Sequence, residues 1–141
     1  MGEKPLFDRL HDQLRVDRNK IGDELVDHPN LVFQVYNGYT ASIARRDSQQ
    51  EKLTQLISKT EDRIREALLE ESGKKPTIAQ IEAAVNQDDT VIEERHALLS
   101  LKHEVSKWNG LKEAVSARSY CLHSLVEMEV AEIRATANTS R

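Results

Sequence analysis

The sequence predicts an all-α protein in which two long helices pack as a coiled coil or bundle and assemble into oligomers. Residues 30–72 and 90–136 each carry apolar residues at helical spacing for about ten turns without an internal proline. Only 4% of the 141 residues are aromatic, with 5 glycines and 3 prolines, fewer than a strand-rich chain usually has. Helices about 60 Å long exceed a globule whose radius of gyration is about 14 Å. We therefore expect them to pack along each other or along other copies of the chain.

Two short helices are predicted within residues 1–29, with Pro5 in the first turn of the first helix. His28 precedes Pro29, and a residue before proline disfavours the helical conformation. The second short helix is therefore expected to end there. Asn30 is then expected to cap the first long helix, because an asparagine side chain accepts a hydrogen bond from a free N–H of the first turn.

A heptad seam is predicted along the first long helix, from Val32 to Ala67. The polar residues Arg46 and Gln50 interrupt its apolar line. Polar seam positions restrict register and oligomer state at a cost in stability. Equally, the helix can simply reach the surface there. The predicted seam is Val32, Tyr36, Tyr39, Ile43, Arg46, Gln50, Leu53, Ile57, Thr60, Ile64 and Ala67.

A helix breaker is predicted at residues 73–76, because glycine commonly ends helices and proline commonly follows. Thr77 and Gln80 have the spacing of a capping box and start a short connecting helix. This pattern predicts three parts of the chain. They are the short N-terminal helices at 1–29, a hairpin or bundle of long helices at 30–136, and a flexible tail at 137–141.

The second long helix is predicted to start at a capping box formed by Thr90 and Glu93. Gly110 follows Trp108 closely, and a glycine inside a helix costs about 1 kcal/mol relative to alanine. A close crossing or a bend is therefore expected at Gly110. The seam of this helix is Val91, Leu98, Leu101, Val105, Trp108, Val115, Leu122 and Val126, widened by Leu111, Leu125, Met128 and Ile133.

The composition argues against membrane, secreted and catalytic classes. No apolar run approaches the ~18 to 20 residues that span a bilayer, and residues 1–5 lack the hydrophobic segment of a signal peptide. Cys121 is the only cysteine and is expected to be a buried thiol in an intracellular protein. The sequence has no phosphate-binding loop, nucleophile elbow or zinc-type Cys/His pairing, so we expect no enzyme activity and no cofactor.

Glu93, His96 and His103 share one helical face and are the candidate metal ligands. A di-iron bundle needs two Glu-x-x-His motifs with further glutamates on other helices, whereas this chain has one such motif. We therefore expect no metal site.

Basic residues in the middle of the chain are the candidate nucleic-acid contacts. The chain carries 20 basic and 24 acidic residues, a formal charge of −4, so any site for a polyanion must be local. Acidic neighbours at Glu61, Asp62 and Glu66 leave open that these cations only form ion pairs on a solvated face. In a homo-oligomer, however, weak phosphate contacts are repeated along a polynucleotide. The candidates are Lys52, Lys59, Arg63, Arg65, Lys74 and Lys75.

The two ends of the chain resemble the UvsY family, the recombination mediator proteins of T4-like phages. Near the N-terminus, Val16-Asp17-Arg18-Asn19-Lys20 and then Leu31 and Tyr36 are similar to the family's short helix, break and long helix. Near the C-terminus, Trp108 followed by Ala117-Arg118-Ser119-Tyr120 resembles the family's tryptophan and its arginine, small residue and aromatic. The resemblance covers most of the chain. The closing amphipathic helix of the family is matched by Leu122, Leu125 and Val126.

The middle of the chain resembles the family less closely. Members carry a basic-x-basic pair implicated in DNA contact before an aromatic pair and a Ser-Gly turn, and Arg63-Ile64-Arg65 before Ser72-Gly73 matches that pair. Leu68-Leu69-Glu70-Glu71 stands where the aromatics are expected, and the first long helix is about one heptad longer.

The resemblance implies a non-enzymatic protein that forms ring-like homo-oligomers and binds single-stranded DNA in the cytoplasm of the infected cell. It would help a recombinase to displace the phage single-strand-binding protein. Lys59, Arg63 and Arg65 would contact phosphates, and Lys52, Lys74 and Lys75 would extend the track. Without aromatics near this cluster, binding is expected to be strongly salt-dependent and sequence-independent. The residues implied in subunit contacts are Trp108, Val115, Arg118, Leu122, Leu125 and Val126.

Two alternatives stay open on the sequence. The heptad spacing fits equally a coiled-coil structural or scaffolding protein that binds no nucleic acid. An adaptor is the third possibility, in which an acidic N-terminal segment binds a basic protein partner. That segment carries Asp8, Asp12, Asp17, Asp23, Glu24 and Asp27.

Overall fold

The computed structural model describes residues 2–140 and confirms the all-α prediction for that part of the chain. Helix α1 spans Leu6–Asp12 and is followed by a 3-10 helix at Arg18–Lys20. The two long helices are α2 and α4, with the short α3 between them. Their bounds are Ile21–Ser72 for α2, Ile78–Gln87 for α3 and Asp89–Thr139 for α4.

Helix α2 runs through Pro29, so the predicted end at His28 and the predicted cap at Asn30 are wrong. Pro29 is exposed, so water can bond to the backbone carbonyl of Leu25, which loses its helical N–H partner. Packing compensates for the proline, because the side chain of Leu31 just beyond it is only 3% exposed. Tertiary contacts therefore override the local preference at this point.

Both predicted signals between α2 and α3 are confirmed. Gly73 has φ +66° and its N–H donates to the carbonyl of Leu69 at 2.9 Å, which ends α2. The Thr77 hydroxyl accepts from the N–H of Gln80 at 3.2 Å, and the Gln80 side chain accepts from the N–H of Thr77 at 3.0 Å. This reciprocal pair is the capping box that starts α3.

The cap of α4 differs from the prediction. Oδ1 of Asp88 accepts from the backbone N–H of Val91 at 3.1 Å, so Asp88 takes the place expected for Thr90. Helix α4 then continues through residues 137–139, and Arg141 lies outside the described residues. The flexibility of the tail and the division at residue 29 stay predictions.

The chain forms two compact units that share the long helices. Unit 1 comprises Met1–Ala41 with Ser106–Arg141, and unit 2 comprises Ser42–Val105. The core of unit 1 brings together α1, α2 and α4, with Phe7 packed edge-on to Trp108 at 5.2 Å between ring centroids. Its buried members are Leu10, Leu31, Val35, Trp108, Leu111 and Val115.

Trp108 packs against Gly38 of α2, which is the close helix crossing in unit 1. A Cβ on Gly38 would lie 2.7 Å from Cε3 of the indole and closer still to Cζ3 and Cη2. No atom would meet a Cβ on Gly110 within 4 Å, so the crossing predicted there is wrong. The tryptophan marks the crossing, but the glycine that makes room for it belongs to the opposite helix.

Unit 2 has an aliphatic core made by the second half of α2, by α3 and by the start of α4. Its buried members are Leu53, Ile81, Val85, Val91 and Leu98, with Leu56, Ile57 and Ile64 packed against them.

The predicted seam of α2 holds from Leu53 to Ile64, whereas its last member, Ala67, is exposed and the part before Leu53 is displaced by one residue. Leu31, Val35 and Ser42 are the buried positions, whereas Val32 and Ile43 are half-buried and Tyr36 is exposed. One residue rotates a helix face by about 100°. Polar residues interrupt the apolar pattern in the middle of the helix, where Gln50 is exposed. The pattern in the second half therefore did not determine which residues of the first half face the core. The seam of α4 agrees with the prediction through Leu122, while Met128 and Ile133 are exposed.

Candidate nucleic-acid interface

A row of four cations lies along one face of α2 in unit 2, and we call it the basic ridge. It consists of Arg45, Lys52, Lys59 and Arg63, at successive spacings of seven, seven and four residues that keep them on one side of the helix. All four side chains are exposed. Sequence reasoning missed Arg45 as a site residue, although its seven-residue spacing from Lys52 was available as a signal.

Two members of the basic ridge are tied to carboxylates. Nζ of Lys52 lies 3.2 Å from Oε1 of Glu94 on α4, and Nη2 of Arg63 lies 2.6 Å from Oδ2 of Asp88 at the start of α4. The Lys52 and Arg63 side chains are still 65% and 67% exposed. The pairs hold the cations in place and neutralise part of the local charge. Because the cations are exposed to solvent, the pairs add little stability.

The pKa values of the two carboxylates, Glu94 and Asp88, are both lowered. A hydrogen bond from the Gln49 amide, and then one from Lys52, lower the pKa of Glu94. The backbone N–H of Val91, and then the Arg63 guanidinium, lower the pKa of Asp88. Both carboxylates therefore stay charged to a lower pH than an ordinary carboxyl group.

The other two members of the basic ridge are not paired with carboxylates. Within residues 2–140, no carboxylate lies within 4.0 Å of the charged groups of Arg45 or Lys59. Lys59 and Arg63 border a groove of about 260 Å³ between α2 and the start of α4, which Leu56, Thr60, Asp88 and Thr90 also line. The charged groups of Arg45 and Lys59 are therefore available to a phosphate backbone.

The structure separates the predicted pair Arg63 and Arg65. Side chains two residues apart point to different sides of a helix. Nη1 of Arg65 lies 3.0 Å from Oδ1 of Asp62, away from the partner of Arg63. Lys74 and Lys75 are exposed in the α2–α3 connection.

The residues implied in subunit contacts mostly pack inside unit 1. Trp108, Val115 and Leu122 are exposed by only 5%, 1% and 1%. Leu125 and Val126 are half-buried. Beyond them the apolar stripe of α4 continues uncovered, since Met128, Val130 and Ile133 are exposed by 49%, 41% and 63%.

Arg118 is buried in unit 1 and bonds two side chains of α2. Its guanidinium donates to Oε2 of Glu24 and lies 2.7 Å from Nδ1 of His28. Burial, and then the Arg118 charge, lower the pKa of the His28 imidazole. Arg118 thus joins α4 to the turn of α2 that precedes Pro29. No sequence signal indicated this pairing, because 94 residues separate Arg118 from Glu24.

Three further expectations concern Cys121, a metal site and a membrane-spanning helix. Cys121 is exposed, so the expectation of a buried thiol is wrong, because the core-facing positions of this turn are Arg118 and Leu122. In the described part of the chain, no three His, Cys, Asp or Glu side chains are grouped as metal ligands. No helix among residues 2–140 has both the length and the apolar character that crossing a membrane requires.

The comparisons with known proteins support one likeness in fold. No protein-family model and no curated protein sequence matches the chain. Among solved structures, the recombination mediator protein UvsY of bacteriophage T4 matches with a TM-score of 0.74 at 15% sequence identity. The match covers 94% of this chain and 99% of that one. The chain therefore shares its fold with a phage recombination mediator protein, as the sequence resemblance predicts.

Proposed function

We propose that this protein is a recombination mediator that binds single-stranded DNA as a homo-oligomer. In this role it assists a recombinase to load onto the strand and to displace the single-strand-binding protein, in the cytoplasm of a phage-infected cell. The observation that carries the proposal is the fold likeness to UvsY over nearly the whole length of both chains. The resemblance of the two chain ends to that family supports it independently of the fold.

The basic ridge supports the DNA-binding part of the proposal. Arg45 and Lys59 are exposed and unpaired with carboxylates in the described residues, and Lys52 and Arg63 remain about two-thirds exposed while paired. Phosphates exchange readily with such exposed pairs, because the pairs themselves are weak. A single ridge binds weakly in a chain of net charge −4, so repetition across subunits is needed for useful affinity.

The uncovered end of α4 supports the oligomer. Met128, Val130 and Ile133 continue the buried stripe of the helix past the last residue that unit 1 covers. Apolar side chains that continue a core stripe are normally covered, and a second copy of the chain offers the same stripe in return. The surface beyond Val126 is therefore the proposed subunit contact, more than Trp108, Val115 or Leu122.

The ridge is tested by removing two positive charges and measuring affinity for a labelled single strand from about 50 to about 200 mM salt. The ridge variant is Arg45→Gln with Lys59→Gln. The matched control in the same unit is Arg95→Gln with Lys102→Gln, which removes the same charge from two exposed residues that belong neither to the ridge nor to the predicted candidates. Each lost phosphate contact lowers the slope of log affinity against log salt by about 0.7. We expect the slope to fall by about 1.4 for each subunit that contacts the strand in the ridge variant, and to stay unchanged in the control.

The alternative function is a scaffold that does not bind nucleic acid, and the ion pairs of Lys52 and Arg63 are the observations that favour it. A scaffold shows no affinity for the strand even at the lowest salt, which would reject the proposal. Equal losses in the ridge and control variants would keep DNA binding but reject the ridge as its site. Light scattering with and without the oligonucleotide measures the assembly, and a stable monomer in both conditions contradicts the homo-oligomer.

A further inference from the structure

A second groove lies in unit 1 between α2 and α4, and two tyrosines are among the residues that line it. Its volume is about 270 Å³. Val32 and Val115 supply its apolar lining, and Val115 is only 1% exposed. Tyr36 from α2 and Tyr120 from α4 both line it, with Ser116, Ser119 and His28 completing the lining.

The two tyrosines are not needed to fill the core. Tyr36 is 45% exposed and Tyr120 is 77% exposed. Within residues 2–140 the ring of Tyr120 stacks on no other aromatic ring. An exposed ring that stacks on no other aromatic ring keeps part of its π-surface open to a planar partner. Two such rings in one groove favour a flat aromatic ligand.

The ammonium group of Lys112 lies near Tyr36, one of the residues that line the groove. Nζ of Lys112 lies 4.3 Å from the ring centroid of Tyr39 and 5.9 Å from that of Tyr36. The tyrosine rings attract the ammonium group and hold it near the groove. No carboxylate is among the described residues that line this groove, in contrast to the ridge groove with Asp88. The charge of the site therefore suits an anion beside the aromatic ligand.

We propose that Tyr36 and Tyr120 form a stacking site for a base of single-stranded nucleic acid, with Lys112 contacting the adjacent phosphate. This inference rests on the proposed function and adds a contact to the bases, which the basic ridge alone does not provide. Every base has a π-face, so the site binds without sequence preference. Stacking does not release counterions, so part of the affinity persists at salt concentrations that screen the ridge.

The test compares Tyr36→Leu and Tyr120→Leu with the control Tyr120→Phe, which keeps the aromatic face. Binding is measured by fluorescence anisotropy on two labelled strands of equal length, one normal and one with abasic sites throughout. We expect each leucine variant to bind the normal strand about tenfold more weakly, and the phenylalanine control to bind like the wild type. On the abasic strand all four proteins should bind alike, and the salt slope should not change in any variant.

The outcomes separate this inference from the proposed function. If the wild type binds the normal strand and both leucine variants bind it equally well, the stacking site is rejected while DNA binding stands. If the wild type does not bind at the lowest salt, the proposed function fails and this inference fails with it. If either leucine variant changes the mass measured by light scattering, the groove is a contact between subunits, which also overturns the stacking site.

Discussion

Units 1 and 2 are built from the same two long helices, yet they are held together differently. Unit 1 packs a tryptophan directly against a glycine and buries an ion pair between Arg118 and Glu24. Unit 2 fills its core with aliphatic side chains and places its ion pairs on the surface. Close contacts and buried charges tolerate little change, whereas aliphatic cores and exposed pairs tolerate more. We therefore expect point substitutions to be most damaging in unit 1, while charge changes in unit 2 alter binding and leave stability almost unchanged.

The largest expected effect is that of Arg118→Ala, which leaves the Glu24 carboxylate without its partner. The Arg118 and Glu24 side chains are only 4% and 21% exposed. Loss of one partner from a mostly buried pair costs about 3 kcal/mol, since the remaining charge is not fully desolvated. The free energy of unfolding in urea, followed by the fluorescence of Trp108, measures this loss.

The matched control in unit 2 is Arg65→Ala, which removes an exposed pair with Asp62. It should change the free energy of unfolding by at most about 0.5 kcal/mol. Similar losses for both variants would contradict the distinction between buried and exposed pairs in the two units.

The next effect concerns the tight crossing in unit 1. Gly38→Ala places a Cβ inside the Trp108 ring contact and should destabilise the protein by about 2 kcal/mol, despite the better helix propensity of alanine. Gly110→Ala gives the same propensity gain with no atom within 4 Å of the new Cβ. That control should stabilise the protein by about 0.5 to 1 kcal/mol. A Gly38→Ala protein as stable as the control would show that the crossing relaxes freely.

The smallest effect is a pH dependence that originates in unit 1. The folded-state pKa of His28 is lowered from 6.5 by burial and by Arg118, so the unfolded chain binds a proton more readily than the folded one. The stability that depends on a neutral His28 is therefore fully present at pH values above the unfolded pKa. It is lost as the pH falls from about 6.5 through the lower folded pKa.

His28→Gln isolates this contribution and keeps a hydrogen-bond acceptor for Arg118. Urea unfolding at about pH 7.5 and about pH 5.5 should show a smaller stability loss in the variant than in the wild type, by under about 1 kcal/mol. An identical loss in both proteins would assign the pH dependence to other groups.

Local signals in the sequence predicted several elements correctly. The capping box of Thr77 and Gln80 and the left-handed Gly73 are interactions between neighbours in the chain, and the structure confirms both. The seam of α4 through Leu122 was also predicted, because large apolar residues mark it at nearly every turn. The all-α class follows from the same periodicity.

Three of the failures share one physical cause, because each depended on contacts with a distant part of the chain. Pro29 stays helical because neighbouring turns are packed, and Gly38 rather than Gly110 meets Trp108 because of how α2 faces α4. The pairing of Arg118 with Glu24 cannot be read from spacing across 94 residues. The basic candidates were chosen because they lie close together in the sequence, whereas the ridge follows a spacing of seven and four residues that also includes Arg45.

The carboxylate of Asp88 has two oxygens with separate roles, and the proposed DNA binding would engage the partner of only one of them. Oδ1 receives the N–H of Val91, and Oδ2 receives Arg63. A phosphate that attracts Arg63 away therefore leaves the first turn of α4 intact. In the proposed DNA binding, the guanidinium would exchange its partner in the same chain for a phosphate, while the bond that caps α4 would remain.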